Sequence, residues 1–105
     1  ISENYIYIRI DSILHKINMD EILWVEAFGD YVKIQTEDKL HTTYGTLKKL
    51  EDRLPLSKFV RVHRSYIVNL EKITNIDSNN LMVDKKIIPI SETHKSQFLS
   101  KIKIL

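Results

Sequence analysis

The sequence predicts a mostly β fold with one short helix and a C-terminal helix. Apolar and polar residues alternate with a period of two through most of the 105 residues, which is the pattern of half-buried strands. Turn-forming residues separate these stretches at close intervals, as they do in all-β or nearly all-β cores. Two short segments instead place large apolar residues at helical spacing, and they account for the two helices.

The first five strands are expected to follow one another with short turns. They are predicted at 5–10, 13–18, 22–27, 31–36 and 39–44. Asp11-Ser12 and Glu37-Asp38 supply two of the turns. Phe28-Gly29-Asp30 makes a tight reversal, because Gly29 can adopt a positive φ, and joins the third and fourth strands in a hairpin.

A short helix is predicted after the fifth strand. Thr46 is of the type that caps helix N-termini. Leu47, Leu50 and Leu54 then recur at i, i+3 and i+7, on one face of a helix that Pro55 ends. We expect this leucine stripe to belong to the core.

Strands resume beyond this helix, and a second helix ends the chain. The strands are predicted at 59–62, 66–69, 72–76 and 81–90, with a turn at 77–80. Pro89 favours an edge or terminal position for the last strand. Ser91 can cap the final helix, in which Phe98, Ile102 and Leu105 recur at i, i+4 and i+7 and are also expected in the core.

The composition limits the classes of function. A chain of this length fits one domain, 1–105, and its start at Ile1 rather than methionine suggests a fragment of a longer protein. Sixteen basic and fourteen acidic residues give a net charge of +2, so a basic binding surface must come from local clustering. The absence of cysteine excludes disulfides and thiolate metal sites. Neither a signal peptide nor an apolar run of about 18 residues is present, so we expect a cytoplasmic protein without a membrane partner.

The strongest functional signal is a cluster of cations in the middle of an apolar run. Lys58, Arg61, His63 and Arg64 lie within seven residues that contain no acid. Strand alternation places Arg61 and His63 on one face. Arginine suits bidentate bonds to phosphate or to guanine O6 and N7, whereas the alternative is a solvated strand face. Further basic groups lie on the predicted helices: Lys48, Lys49, His94, Lys95, Lys101 and Lys103.

No pattern typical of an enzyme or a metal site accompanies these cations. The four histidines show neither HxxxH nor HExxH spacing, and P-loop, GxGxxG and GxSxG motifs are missing. His63 and Ser65 share a strand face, but no adjacent carboxylate could orient the imidazole as a base. We therefore predict no catalytic residues, no metal and no cofactor.

Four segments of the sequence carry a family resemblance. In order they read ILWVEAFGDYVKIQT, YGTLKKLEDRLP, FVRVHRSYIVNLEKI and IPIS. Together they resemble the LytTR (LytR/AlgR-like) DNA-binding domain of bacterial response regulators, over roughly residues 5 to 103. The F-x-R-x-H-R-S-Y-x-V-N core at 59–69 is the most specific of them.

This resemblance implies a fold and a function. The fold is a set of small stacked antiparallel sheets with one short helix and a C-terminal helical turn. The domain binds double-stranded promoter DNA, commonly as two copies on direct repeats, and bends it, using loops and strand ends rather than a recognition helix. In response regulators a receiver domain usually precedes it and promotes dimerisation, whereas other family members carry different partners.

The family also implies where bases are contacted. The positions are the hairpin turn at Phe28, Gly29 and Asp30, the residue after the motif histidine, Arg64, and the segment Glu92, Thr93 and His94. Asp30 either touches DNA or orients a neighbouring cation or the turn backbone. Glu92 opposes phosphate, and either accepts a hydrogen bond from cytosine N4 or faces away, which makes Lys95 a substitute for the third contact.

These residues are expected to perform two different tasks on DNA. Arg61, His63, Lys48 and Lys95 are expected to neutralise phosphates, and Arg64 is expected to read a base edge. Ser65 and Asn69 would fix the local backbone so that Arg64 projects correctly. The alternative function is a protein-interaction module whose exposed strands and basic loop bind an acidic partner or a sister domain.

Overall fold

The computed structural model describes residues 4–105, in which ten strands and two α-helices confirm the mostly β class. The strands are β1 (Tyr5–Ile10), β2 (Ile13–Asn18), β3 (Ile22–Phe28), β4 (Tyr31–Thr36), β5 (Leu40–Tyr44), β6 (Phe59–His63), β7 (Tyr66–Asn69), β8 (Ile73–Ile76), β9 (Asn80–Val83) and β10 (Lys86–Pro89). The helices are α1 (Leu47–Glu51) and α2 (Glu92–Leu99), and 3₁₀ turns occur at Met19–Glu21 and Leu70–Lys72.

The strands form three antiparallel sheets. The central sheet has five strands in the order β5-β4-β3-β7-β6, while β1 and β2 form a hairpin and β10-β9-β8 form a third sheet. The chain therefore builds the small stacked sheets that the family resemblance implies.

The central sheet is covered on both faces, and each face has its own apolar core. The first core joins it to the β1-β2 hairpin and α1, and includes Ile8, Ile17, Val25, Ile34, Leu47, Leu50, Leu54 and Ile67. The second joins it to the third sheet and α2, and includes Trp24, Val60, Val62, Val68, Leu81, Val83, Ile88 and Phe98. The leucine stripe of the short helix thus lies in the core, as predicted.

Neighbouring strands differ in sequence pattern because they differ in how many of their faces are packed against a core. β3 reads as a nearly continuous apolar run, because Trp24 and Val25 pack into opposite cores. β4 alternates, because Val32 and Ile34 are buried in the first core while Lys33 on the other face is only half-buried. The second face of β4 and β5 therefore remains open to solvent at that side of the sheet.

The two 3₁₀ turns are built in the same way. Asn18 accepts a hydrogen bond from the Asp20 N–H, at 2.9 Å, and Asn69 accepts one from the Glu71 N–H, at 3.0 Å. The fully buried Asn69 also donates its amide to the Ile22 carbonyl, at 2.9 Å. Asn69 thus closes the end of β7 that is remote from Arg64, so the expectation that it fixes the backbone beside Arg64 is wrong.

The predicted strand at 81–90 is instead a hairpin. Asp84 and Lys85 form a two-residue turn between β9 and β10, with Asp84 at φ 54° and Lys86 paired with Val83. Asp tolerates the left-handed conformation that such turns need, but no glycine or asparagine marks the turn in the sequence.

The two helix starts differ in their capping. Thr46 accepts the Lys49 N–H at 3.2 Å, which confirms the predicted cap of α1. Ser91 lies at the N-cap of α2 but makes no side-chain cap, since its hydroxyl lies 2.7 Å from Nδ1 of His94. The predicted stripe on the last helix is wrong at Leu105, because α2 ends at Leu99 and Leu105 is fully exposed.

Candidate nucleic-acid interface

Three loop segments meet at one end of the central sheet. Glu26 near the end of β3 pairs across strands with Tyr66 at the start of β7. The Ala27 N–H donates to the Ser65 carbonyl at 2.8 Å, and the Ser91 N–H donates to the Val62 carbonyl at 2.9 Å. These bonds bring together the segments 28–31, 63–65 and 91–95, which we call the loop edge.

The start of α1 adjoins this loop edge. The Gly45 N–H donates to the Asp30 carbonyl at 3.0 Å, so the chain enters α1 directly beside the β3–β4 turn. Lys48 is 3.2 Å from Asp52 on the same helix, with 73% of its side chain exposed. Exposed pairs of this kind contribute little to stability, so the Lys48 ammonium is available to another anion.

Arg64 lies at the tip of the β6–β7 connection. Arg64 and Ser65 are the two residues between these strands, and the Arg64 side chain is exposed. Within the described part of the chain, no acid forms an ion pair with its guanidinium. The Ser65 N–H donates to Nδ1 of His63 at 3.1 Å, so the side chain that helps to close this turn is that of His63, whereas the sequence had suggested Ser65 for this task.

The Arg61 guanidinium is half-buried and bonded to protein acceptors. Its Nε–H donates to the His63 carbonyl at 3.0 Å, its Nη1 lies 3.0 Å from Oε1 of Glu51, and its Nη2 donates to the Arg64 carbonyl. Only 21% of its side chain is exposed. The guanidinium is thus occupied by protein acceptors on all three nitrogens.

Arg61 and His63 do not share a face, contrary to the prediction. The pairing of β6 with β7 shifts between these two residues, and an irregularity of this kind turns the following side chain to the other side. Arg61 reaches α1, whereas the His63 ring lies 5.9 Å from that of Tyr66, which packs against the second core. The cations of the motif are therefore divided between two layers.

The environment of His63 disfavours its charged form. Burial, followed by the nearby cations Arg64, His94 and Arg61, lowers the pKa of His63 below its ordinary value of 6.5. Since Nδ1 accepts the Ser65 N–H, the neutral ring carries its proton on Nε2. A phosphate beside His63 would stabilise the imidazolium and so raise the pKa of His63 again.

The start of α2 supplies the third segment of the loop edge. Thr93 is exposed, and His94 is half-buried with Nδ1 beside the Ser91 hydroxyl. Lys95 Nζ lies 3.7 Å from Glu92, whose side chain is 88% exposed. The Glu92 carboxylate therefore partly offsets the positive charge of Lys95.

The β3–β4 turn adds exposed aromatic rings. Gly29 has φ 61°, as predicted, and Asp30 beside it is exposed. Phe28 is 56% exposed, and Lys33 Nζ lies 3.8 Å from the centre of its ring. The sequence analysis missed Lys33, although strand alternation places it on the same face of the hairpin as Phe28.

A second cluster that the sequence analysis missed lies directly behind the β6–β7 turn. Lys86 Nζ is 4.8 Å from the centre of the Trp24 ring, 5.6 Å from that of Tyr66 and 3.6 Å from Oε1 of Glu26. The Tyr66 hydroxyl donates to Oε2 of Glu26 at 3.0 Å. Burial, together with the Glu26 carboxylate, raises the pKa of Tyr66. This lysine clasp joins the third sheet to the central sheet, and no local pattern could have revealed it.

Two other kinds of site are missing from residues 4–105. No three histidine, aspartate or glutamate side chains come together there in a way that could hold a metal ion. None of the helices of this part of the chain is both long enough and apolar enough to span a membrane.

Comparison with known proteins identifies close similarities of sequence and fold. A family model described as the LytTr DNA-binding domain matches residues 12–103. A LytTr DNA-binding domain from Bacillus cereus superimposes with a TM-score of 0.81 at 22% identity, covering 96% of this chain and 98% of that one.

Curated bacterial proteins show the same similarity at the sequence level. The sensory transduction protein LytT of Bacillus anthracis is 31% identical over 94 residues, covering 84% of this chain and 38% of the relative. LytT of Bacillus subtilis is 33% identical over 87 residues, covering 77% and 36%. The transcriptional regulatory protein LytR of Staphylococcus aureus is 29% identical over 69 residues, covering 66% and 28%. The chain thus spans less than two fifths of the length of these curated relatives.

Proposed function

The chain belongs to the LytTR family of DNA-binding domains, and we propose that it is the sequence-specific DNA-binding output domain of a bacterial two-component transcriptional regulator. The observation that carries this proposal is the loop edge. Three segments, far apart in sequence, lie at one end of a rigid sheet and present Arg64, Thr93 and the β3–β4 turn together. Loops held by a packed scaffold are suited to enter a groove of duplex DNA.

Arg64 is the residue proposed to read a base. It is exposed, it projects from a two-residue turn, and no acid in the described chain competes for its guanidinium. Bidentate bonding to guanine O6 and N7 is the commonest base-specific contact of arginine, and contributes about 1–3 kcal/mol of discrimination. Thr93 and Asp30, exposed in the two neighbouring segments, are proposed to contact the adjoining bases.

Phosphate contacts are proposed for the cations around this turn. Lys48 is the most exposed of them, and among residues 4–105 its ion-pair partner is the exposed Asp52. His63 and His94 lie close enough to interact electrostatically, and Lys95 follows His94 on α2. Such contacts release counterions, position the protein and carry no sequence information by themselves.

The larger assembly is also part of the proposal. We propose that residues 1–105 form one domain, that a receiver domain belongs to the same full-length protein, and that two copies bind direct repeats in promoter DNA in the cytoplasm. The support is that relatives covering this chain are described as sensory transduction and transcriptional regulatory proteins and are more than twice as long.

Selection of duplexes from a random library tests the function. The library should span about 30 base pairs, or three helical turns, so that two half-sites fit. We expect one enriched sequence, which we call the selected duplex, and affinity that falls steeply between roughly 50 and 200 mM salt. Enrichment of no sequence, or binding that salt does not weaken, would contradict the proposal and favour a protein-interaction module.

A further inference from the structure

We propose that Arg61 is a positioning residue for the β6–β7 turn, held in place by Glu51, rather than a phosphate contact. This inference rests on the proposed function, because it concerns how Arg64 is presented to a base. It assigns a role to Glu51, an acidic residue near a surface that binds a polyanion.

Arg61 bonds to the backbone of the turn itself. Two of its three nitrogens donate to the carbonyl oxygens of His63 and Arg64, the consecutive residues at which the chain reverses. A carbonyl that accepts a hydrogen bond fixes the orientation of the peptide plane that contains it. The peptide planes on both sides of Arg64 are therefore oriented by one planar guanidinium.

The other side of the Arg61 guanidinium is anchored by Glu51. Nη1 of Arg61 lies 3.0 Å from Glu51 at the end of α1, with 29% of the Glu51 side chain exposed. Leu47 and Leu50 of the same helix are buried in the first core. The turn that carries Arg64 is thus connected, through Arg61 and Glu51, to a helix that is fixed against the central sheet.

The surroundings of the guanidinium also disfavour a phosphate contact. Three of its five N–H donors are engaged, and a phosphate at the remaining two, on Nη1 and Nη2, would come near the Glu51 carboxylate. Like charges at such distances repel, and a phosphate that displaced one of the three acceptors would release the turn. Lysine could not replace Arg61 in this role, because its ammonium lacks the planar fork that serves several acceptors at once.

Glu51→Gln is the decisive variant, because the two roles of Arg61 predict opposite results. A positioning role predicts that the ratio of affinities for the selected and a scrambled duplex falls about tenfold, since the base contact of Arg64 is misplaced. A phosphate-contacting role predicts instead that loss of the competing carboxylate strengthens binding to both duplexes and steepens the salt dependence. Asp52→Asn is the matched control, because it removes the same charge from the neighbouring exposed residue. It should change the affinity for both duplexes alike.

Arg61→Lys provides an independent measurement, since it keeps the charge. We expect the affinity ratio to fall while the slope of log affinity against log salt stays within about 0.3 of that of the parent chain. Loss of one phosphate contact would change that slope by about 0.9. Circular dichroism melts establish that each variant is folded at the assay temperature.

The outcomes separate this inference from the proposed function. If the parent chain enriches no sequence, the proposed function fails and the positioning role fails with it. If the parent chain binds its selected duplex but Glu51→Gln and Arg61→Lys keep the affinity ratio within about twofold, only the positioning role is overturned.

Discussion

At the scale of single residues, Arg64 and Lys48 are two cations at one surface with different proposed roles, a base contact and a phosphate contact. Arg64 is at the tip of a turn that His63 and Arg61 hold by hydrogen bonds, whereas Lys48 lies on the exposed side of a helix and pairs with the exposed Asp52. A guanidinium that projects from a fixed backbone can discriminate between base edges. An exposed ammonium on a helix responds mainly to phosphate charge.

Arg64→Ala is therefore expected to relax sequence preference. The affinity for the selected duplex should fall about tenfold or more, with a much smaller loss for scrambled DNA, because a base contact is removed. Lys48→Ala should weaken both duplexes similarly and reduce the salt slope by about 0.9. Fluorescence anisotropy titrations at several salt concentrations measure the affinity for each duplex and the salt slope. Equal losses of sequence preference in the two variants would refute the separate roles of Arg64 and Lys48.

His63 gives DNA binding an expected pH dependence. Burial, Arg64, His94 and Arg61 lower the pKa of His63 in the free protein, and a phosphate would raise it again, so binding takes up a proton. Affinity should thus increase as the pH falls from about 7.5 to 5.5. His63→Gln should flatten this increase. An increase that persists undiminished in His63→Gln would place the titrating group elsewhere.

The stability of the fold should change with pH in the opposite direction. The pKa values of His63 and His41 are both lowered by burial, and then by neighbouring cations, from 6.5, the value expected in the unfolded chain. Their contribution to the free energy of unfolding is complete above pH 6.5 and is lost as the pH falls through the lower folded-state values. His41→Gln, remote from the loop edge, is a control that should reduce this loss without altering the pH dependence of DNA binding.

At the scale of elements, the sequence predicted most strands but not the turn between β9 and β10. The alternating strands and the turn at Gly29 were found, because period and glycine are local signals. The hairpin of β9 and β10 was read as one strand, since Asp84 can adopt a positive φ without glycine beside it. The register shift within β6 was also missed, and it decides that Arg61 and His63 face different layers.

The lysine clasp is the contact between elements that we expect to support the turn from behind. Lys86→Met should lower the free energy of unfolding by about 1 kcal/mol, through loss of the cation–π contacts with Trp24 and Tyr66. Urea titration monitored by circular dichroism measures this change. Lys85→Met, at the exposed neighbouring position, is the matched control and should leave stability within about 0.5 kcal/mol. If the two variants were equally stable, the clasp would have no energetic role.

At the scale of the whole molecule, the two ends of the central sheet differ in the charged residues that they carry. The loop edge lies at one end, with Arg64 exposed. The 3₁₀ turns and the β4–β5 turn lie at the other end and carry five acids, of which Asp20 and Glu37 are paired with Lys58 and Lys72, while Glu21, Asp38 and Glu71 are in no ion pair among the described residues. This distribution favours approach of a polyanion from the loop edge.

The sequence predicted which segments form the candidate site, but not which of their side chains contact one another. The motif at 59–69 correctly placed Arg64 between two strands, because apolar stretches flank it on both sides. The partnership of Arg61 with Glu51 depends on how α1 docks against the sheet, which long-range packing determines. Local patterns report propensities and periods, and they carry no information about such contacts.

Mapping of backbone amide chemical shifts by NMR, during titration with the selected duplex, tests most directly whether the loop edge binds DNA. We predict that the largest changes occur at 28–31, 63–65 and 91–95, with small changes at the opposite end around Met19–Glu21 and Leu70–Lys72. Largest changes at those two 3₁₀ turns, with the loop edge unaffected, would contradict the account.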